Sequence, residues 1–154
     1  MNRLDEQYQS LLFRVLTGGI SKDDRTGTGT RSVFGEQIKH DMSEGFPILT
    51  TKRVAFKTMV TELKWFLKGD TNIKYLVDNN CNIWNGDAFN NYKSNGGKID
   101  NQADFIDKVK GMPQESHFVA KHGELGPIYG AGWRSWKTQG GHIDQLAELV
   151  KGLK

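Results

Sequence analysis

A polar loop rich in glycine and threonine carries the residues best suited to hold a phosphate group. It reads Asp24-Arg25-Thr26-Gly27-Thr28-Gly29-Thr30. Glycine lets the backbone approach a ligand closely, and the guanidinium of Arg25 can hold two phosphate oxygens at once. The loop is not a Walker loop, since no Gly-Lys-Ser/Thr ends it, and Ser32 stands where the third glycine of a dinucleotide fingerprint would be. An ordinary glycine-containing connection is the commoner outcome of such spacing, so both interpretations stay open.

A second candidate for anion binding precedes the strongest helix pattern. The string Thr50-Thr51-Lys52-Arg53 places two hydroxyls and two cations where a helix is predicted to begin. A helix N-terminus with such side chains can bind a carboxylate or a phosphate. The simpler interpretation is a threonine cap followed by solvated basic side chains.

The helix pattern that follows carries a carboxylate. Apolar residues recur at helical spacing from Phe56 to Leu67, and Gly69 closes the pattern. Glu62 falls beside Met59 and Phe66, at the margin of the apolar face. A partly desolvated carboxylate in that place suits proton transfer. A boundary glutamate that reaches solvent or pairs with a lysine is commoner, so this role is one of two open interpretations.

Aromatic residues bracket the polar stretch that follows. Trp84, preceded by Ile83, can stack on a planar ring, and the hydroxyl of Tyr129 can position a proton. Either aromatic side chain can equally belong to the core. Trp133, Arg134 and Trp136 are interpreted as a packed aromatic segment with the arginine laid across it.

The single cysteine, Cys81, is tested as a nucleophile because only a thiolate is reactive. Its neighbours Asn80 and Asn82 offer no charge that would lower a thiol pKa, so a buried, inert thiol is expected. The four histidines form no metal-ligand pattern with it, and we predict no metal. They are His40, His117, His122 and His142.

Several helices and one strand, predicted from the sequence, must position these candidates. Apolar spacing, glycines and capping residues set its boundaries. The predicted elements are a helix from Leu4 to Leu16 ended by Gly18-Gly19, a strand from Ser32 to Met42, a helix from Phe56 to Leu67, a short helix around Leu76 capped by Asp70 or Thr71, and a last helix from Ile143 to Leu153. Residues 85 to 123 are polar and are predicted to form an inserted subdomain, with one small helix that starts near Asn101 and stops before Pro113.

Composition sets the broad class of the protein. The chain has 154 residues, a length that suits one folded domain rather than two. Its hydrophobic content of 36% is low for a globular protein, but a formal net charge of only +3 argues against disorder. The basic residues are scattered, which argues against a nucleic-acid partner. One cysteine fits a reducing compartment. The N-terminal residues lack an apolar signal segment and no apolar run reaches membrane-spanning length, so we expect a soluble, cytoplasmic protein without a membrane partner.

Taken in order and spacing, several strings resemble the thymidylate synthase family. The resemblance extends over essentially the whole chain and is weakest at residues 85 to 123, where that family varies in length. The matching strings are Asp24 to Thr30, Phe46-Pro47, Thr50 to Arg53, Glu62-Leu63, Trp65-Phe66-Leu67, Gly69 to Asn72, Ile83-Trp84, Leu125 to Gly130, Trp133-Arg134 and Asp144-Gln145.

The resemblance implies a fold and a reaction. The fold would be α/β (α+β), a large mixed sheet with helices on one face that packs sheet to sheet in a homodimer. The reaction would methylate deoxyuridylate (dUMP) to thymidylate, with 5,10-methylenetetrahydrofolate as the donor of both carbon and hydride, giving dihydrofolate. Chain 1–154 would be the N-terminal part of a single domain of this kind.

The resemblance also implies roles for individual residues. Arg25 would bind the nucleotide phosphate, and Lys52 would contact the glutamate tail of the folate. Glu62 would organise proton transfer, and Tyr129 would assist proton removal. Ile83 and Trp84 would line the pocket for folate and substrate.

Some features of the family pattern are missing from this sequence. The family nucleophile lies in a Pro-Cys-His motif that does not occur here, so we expect the 154 residues alone to be inactive. Ala55 stands where many bacterial relatives have a histidine, and Asp87 stands where several have a second tryptophan, which puts details of folate binding in question.

Two alternative functions stay open: a deoxycytidylate hydroxymethylase, which shares this N-terminal pattern, and a non-catalytic fragment for nucleotide binding or dimerisation.

Overall fold

The structure is a computed structural model that describes residues 2–24 and 27–153. The chain divides into two compact units, Met1–Val54 and Ala55–Lys154. The second unit holds seven of the eight helices described and the larger core.

The first unit contains one long helix, α1 (Arg3–Gly18), and a small hairpin of β1 (Ile20–Lys22) and β2 (Thr30–Ser32). The side chain of Asn2 accepts a hydrogen bond from the Asp5 amide at 2.8 Å and caps α1, as asparagine commonly does. The hairpin is antiparallel, with Ile20 opposite Ser32. A short 3-10 turn follows at Met42–Glu44. The predicted first helix is therefore confirmed.

The strand predicted from Ser32 to Met42 is wrong. Regular strand structure ends at Ser32, and the backbone from residue 33 to residue 41 forms neither helix nor strand. Gly35 has a φ of 67°, which bends the chain out of an extended path, and Phe34 is fully exposed. Partial alternation of apolar residues does not make a strand unless another strand pairs with it, and in the described part of the chain none pairs with this segment.

The second unit is a set of short helices around α2 and α3. Its elements are α2 (Phe56–Leu67), α3 (Lys74–Asp78), α4 (Asn85–Ser94), α5 (Gln102–Gly111), α6 (His117–His122), α7 (Tyr129–Arg134), β3 (Trp136–Thr138), β4 (Gly141–Ile143) and α8 (Gln145–Gly152). Strands β3 and β4 form a second antiparallel hairpin. The predictions for α2, α3, α5 and α8 are confirmed. Helices α4, α6 and α7 were not predicted.

Two capping predictions are corrected by the structure. Ala55 is the N-cap residue of α2 and gives no side-chain hydrogen bond, so no threonine caps that helix. Thr50 instead donates its amide and hydroxyl to the carboxylate of Asp5. At α3 the Asn72 side chain accepts from the Lys74 amide at 3.0 Å, a role predicted for Asp70 or Thr71.

Residues 85 to 123 pack on α3 through an apolar cluster. Phe105 and Val109 of α5 are fully buried against Ile73, Val77 and Tyr92. Burial of a side chain of this kind stabilises a fold by about 1.5–3 kcal/mol. The helix predicted from Asn101 begins as expected, with the Asn101 side chain accepting from the Asp104 amide at 2.9 Å. The segment is therefore three packed helices although its composition is polar.

A smaller cluster lies under α2. Trp65, Leu76 and Cys81 are fully buried there, and the indole of Trp65 donates to the Asn72 carbonyl at 2.9 Å. The buried face of α2 is therefore centred on Thr61 and Trp65. The predicted apolar face is only partly the buried one, because Phe56, Leu63 and Leu67 remain almost half exposed.

The mixed α/β class is confirmed. The strands within residues 2–24 and 27–153 form two two-stranded sheets, and an isolated antiparallel bridge joins Asn72 to Glu124. The large mixed sheet with helices on one face therefore stays a prediction from the family resemblance. Among the helices described here, none has the length and apolar character needed to cross a membrane.

Candidate active site

A hydrogen bond joins two of the predicted site residues across 22 positions of the chain. The indole Nε1 of Trp84 donates to Oε1 of Glu62 at 2.8 Å. Glu62 is half-buried in the middle of α2, and Trp84 stands directly before α4, where its carbonyl accepts from the Ala88 amide. A bond to a charged acceptor is about twice as strong as a neutral one. It holds the carboxylate in one orientation and occupies one of its two oxygens.

Aromatic rings cluster beside Trp84, with Phe66 in the middle of the cluster. The Phe66 ring centroid lies 5.4 Å from that of Tyr129, 5.6 Å from that of Trp133 and 6.4 Å from that of Trp84. The rings of Trp84 and Tyr129 are themselves 6.2 Å apart. These separations suit favourable edge-on ring contacts. The structure thus links Glu62 to Tyr129 through Trp84, and the Phe66 ring contacts the rings of both Trp84 and Tyr129.

A glycine allows α7 to approach α2 this closely. A Cβ atom on Gly130 would lie 2.9 Å from the Phe66 carbonyl oxygen and 3.2 Å from that of Asp70. Only a residue without a side chain fits such a contact. Because Gly130 directly follows Tyr129, the close approach also fixes where the Tyr129 ring can lie.

Beside the ring cluster lies a cavity of about 1020 Å³. It is lined by the apolar and aromatic side chains of Trp84, Ile128, Tyr129, Trp133 and Trp136 and by polar residues such as Ser135, Lys137, His142 and Gln145. A mainly apolar lining with a few polar groups is typical of sites for small organic ligands. A flat ring system can stack on the indole faces while its polar atoms bond to the polar residues.

Three polar contacts hold together the segments from α7 to the start of α8, several of whose residues line this cavity. Ser135 Oγ and His142 Nδ1 are 2.9 Å apart, which joins the end of α7 to β4. Gln145 donates to the Gly132 carbonyl at 2.8 Å. Arg134 forms an ion pair with Asp144 at 3.1 Å. The sequence had suggested instead that this guanidinium lies across the tryptophan rings.

Ile83 and Cys81 lie close to Trp84 in the sequence, but the structure does not place them in the cavity. Ile83 is half exposed and is absent from the described residues that line the cavity of about 1020 Å³. Cys81 is fully buried, with its sulfur 3.8 Å from the Thr58 carbonyl. Burial raises the pKa of the Cys81 thiol, the reverse of what a nucleophilic cysteine requires.

The remaining predicted residues belong to the first unit. Arg25 lies outside the described residues, while Lys52 is described and exposed. In the same loop the amides of Thr28 and Gly29 both donate to a carboxylate oxygen of Asp24 at 3.2 Å. A cavity of about 390 Å³ lies beside the loop and is lined by Ser21, Lys22, Asp23, Thr28, Gly29, Thr30 and Arg31.

Sequence reasoning missed Phe66 as the centre of the aromatic cluster and did not assign Trp133 and Trp136 to a cavity. The spacing of Glu62 and Phe66, one helical turn apart on α2, was the available signal for Phe66. The two tryptophans were noted only as a packed segment. In the described part of the chain no three His, Cys, Asp or Glu side chains cluster as metal ligands do.

Comparison with known proteins shows which family this chain belongs to. The family model described as thymidylate synthase matches residues 6–154. The chain belongs to the thymidylate synthase family. The expectation drawn from the motif strings is therefore confirmed over nearly the whole chain.

Similar proteins from three bacteria illustrate the relation. A thymidylate synthase of Listeria monocytogenes serotype 4b is 48% identical over 169 aligned residues, covering 97% of this chain and 54% of that protein. The thymidylate synthase of Listeria innocua is 47% identical, with the same two shares. That of Mycoplasma mobile is 47% identical and matches 97% of this chain and 50% of its own length. The chain therefore spans about half the length of the curated relatives it matches.

Proposed function

We propose that the complete protein is a thymidylate synthase, which methylates dUMP to thymidylate with methylenetetrahydrofolate and releases dihydrofolate. The observation that carries the proposal is that Trp84 bonds to Glu62 and packs against Tyr129, in a chain whose family is thymidylate synthase. A carboxylate held by an indole that itself lines a cavity together with a phenol is suited to proton transfer on a planar heterocycle.

We assign the residues in this proposal as follows. Glu62 accepts and returns protons of the pyrimidine, and the bond from Trp84 keeps its carboxylate oriented. Tyr129 lines the cavity and is 60% exposed, and its hydroxyl assists removal of the proton at C5. Trp84 and Ile83 contact the reduced folate, whose pterin and benzoyl rings suit stacking on the indole faces.

Two cations of the first unit are assigned to anionic groups of the ligands. Arg25 binds the phosphate of dUMP, because a guanidinium matches two phosphate oxygens. Lys52, which is exposed, binds the glutamate tail of the folate. These assignments rest on the family motif and on the charge of the side chains.

We propose further that the nucleophile lies outside these 154 residues. Attack at C6 of the pyrimidine needs a thiolate, and the single cysteine of the sequence is fully buried with a raised pKa. The chain as it stands is therefore inactive by itself. The complete enzyme is proposed to work as a cytoplasmic homodimer without a metal, and neither a nucleic acid nor a membrane is needed for the reaction.

The proposal is tested with a chimera. Residues 1–154 replace the matching half of the Listeria monocytogenes thymidylate synthase, and tritium release from C5-labelled dUMP is measured with methylenetetrahydrofolate. The chimera should turn over, and Cys81→Ala should leave its turnover unchanged. A folded chimera without activity, or one that loses activity with Cys81→Ala, would overturn the proposal.

The complete product of the gene tests substrate choice. Activity on dUMP with little on deoxycytidylate supports a thymidylate synthase. The reverse preference would show a deoxycytidylate hydroxymethylase, and no activity on either nucleotide would show a non-catalytic protein.

A further inference from the structure

Two asparagines of this chain are each followed by glycine, at Asn85-Gly86 and Asn95-Gly96. In this sequence pattern the amide nitrogen of glycine can attack the side-chain carbonyl carbon of asparagine, because glycine carries no side chain to hinder the approach. Both sites have the same local chemistry. Any difference in their reactivity must therefore come from the fold.

The fold protects the first site. Asn85 is only 5% exposed and is the first residue of α4, and its Nδ2 donates to Asn82 Oδ1 at 3.2 Å. Its own Oδ1 is buried without a hydrogen-bond partner, so a carboxylate formed there would be a buried charge without compensation.

The second site is open. Asn95 is exposed and caps the C-terminal end of α4, where helices fray most easily. Gly96 follows with a φ of 77°, and no atom lies within 4 Å of where its Cβ would be. Four hydrogen bonds restrain the pair: Gly96 N–H to the Lys93 carbonyl at 3.0 Å, Asn95 N–H to the Asn91 carbonyl at 3.1 Å, and Asn95 Nδ2 to the carbonyl and Oδ1 of Asn91 at 2.8 and 3.0 Å. All four lie in the last turn of α4 or beside it, where local opening costs the least free energy.

We propose that Asn95 is a site of spontaneous deamidation in the folded protein. The Gly96 nitrogen forms a bond to Cγ of Asn95, the bond from Cγ to Nδ2 breaks, and ammonia leaves with the proton of the Gly96 amide. Water then opens the cyclic imide at either carbonyl and gives aspartate or isoaspartate. The step needs no oxidant, reductant or cofactor.

The modification changes the junction between α4 and α5. The new carboxylate can no longer donate to Asn91, and it places a negative charge at the C-terminal end of a helix, where the helix dipole is unfavourable to anions. Isoaspartate also lengthens the backbone just before Lys98 and Ile99, whose amides both donate to the hydroxyl of Tyr92. Tyr92 belongs to the core cluster, so deamidation should weaken the packing of residues 85 to 123.

Peptide mapping for isoaspartate tests the proposal on protein incubated at mildly alkaline pH. Isoaspartate should accumulate at Asn95 at least about tenfold faster than at Asn85, a ratio that corresponds to a 1.4 kcal/mol difference in opening free energy. Asn82 supplies an internal control, since it is exposed as Asn95 is but precedes Ile83. In a denaturant the rates at Asn85 and Asn95 should become similar.

Variants complete the test. Asn95→Gln should abolish isoaspartate at that position because the longer side chain cyclises far more slowly. Asn95→Asp should lower the thermal midpoint of unfolding while the far-ultraviolet spectrum stays the same. Equal rates at Asn85 and Asn95 in the native protein, or an Asn95 rate no greater than that of Asn82, would overturn the proposal.

Discussion

Trp84 donates its indole N–H to the carboxylate of Glu62 at 2.8 Å, and the two residues are held in that position by different helices. Glu62 is set by α2, and Trp84 by the start of α4. The bond therefore couples the orientation of the proposed proton carrier to the packing of residues 85 to 123 on α3.

The first prediction concerns that carboxylate. In the complete enzyme Glu62→Gln should lower turnover by about 10²–10⁴, the usual contribution of a positioned acid or base. The amide oxygen of glutamine can still accept from Trp84, so the fold and dUMP binding should change little. Turnover is measured by tritium release and binding by calorimetry.

A matched variant separates orientation from chemistry. Trp84→Phe keeps an aromatic ring beside Phe66 but removes the donor, and it should cost less turnover than Glu62→Gln. Near-normal turnover of Glu62→Gln combined with poor dUMP binding would contradict the proton-transfer role.

The second prediction concerns the phosphate group. Arg25→Ala in the complete enzyme should weaken dUMP binding by about 1.5–3 kcal/mol, the range for a hydrogen bond to a charged group. Binding of deoxyuridine, which has no phosphate, should scarcely change. Arg14→Ala is a control in the same unit, since Arg14 pairs with Glu36 at 2.8 Å on the surface. Equal losses for nucleotide and nucleoside would point to a structural arginine.

The third prediction concerns the thiol. Cys81 is fully buried and its pKa is raised by burial, so a thiol reagent should react with the native protein far more slowly than with protein unfolded in urea. In the native protein the rate of thiol modification should be set by how often the fold opens to expose Cys81. A fast native reaction that is complete before unfolding would show an accessible thiol and would contradict this account of Cys81.

The fourth prediction concerns the contact between α2 and α7. Gly130→Ala should destabilise the protein by about 1–3 kcal/mol, the usual cost of an overpacked contact, because the new Cβ meets the Phe66 carbonyl oxygen at 2.9 Å. Gly132 lies on the same helix, and a Cβ atom added there would be 3.8 Å from its nearest neighbour, an atom of Trp136. The unfolding free energy of Gly132→Ala should therefore stay within about 0.5 kcal/mol of that of the unchanged protein. Urea unfolding curves measure both, and equal effects would contradict a specific contact at Gly130.

The fifth prediction concerns the carboxylate of Asp5. Hydrogen bonds from Thr50, first from its hydroxyl and then from its amide, lower the pKa of Asp5. A folded-state pKa below the unfolded value gives stability that is present above the unfolded pKa of about 3.9 and is lost as pH falls through the lower folded-state value. The difference in unfolding free energy between the native protein and Asp5→Asn should therefore be largest near neutral pH and shrink in acid.

Thr50→Val provides the control for Asp5, since it removes the hydroxyl donor and keeps the amide donor. The difference in unfolding free energy between the native protein and Thr50→Val should also shrink in acid, but by less than for Asp5→Asn. A difference between the native protein and Asp5→Asn that stays constant from neutral to acid pH would show that ionisation of Asp5 does not contribute.

The sequence alone determined the family and those helices whose signals are local. Apolar spacing and end signals located α1, α2 and α5, and the Asn101 cap forms as expected. Helical periodicity and capping depend on residues within a few positions of each other, so they can be recognised without knowledge of the fold. The order of short motifs likewise needs no structure to be recognised.

Only the tertiary structure decided what depends on distant partners. Val33 to Met42 alternates partly but finds no partner strand within the described residues, and so it forms no strand. Helices α4 and α7 form although their sequences are rich in asparagine or glycine, because their apolar residues pack on α3 and α2. The bond between Glu62 and Trp84 joins positions 22 residues apart. Such pairs are set by how helices pack, and packing depends on contacts between residues that no local pattern places side by side.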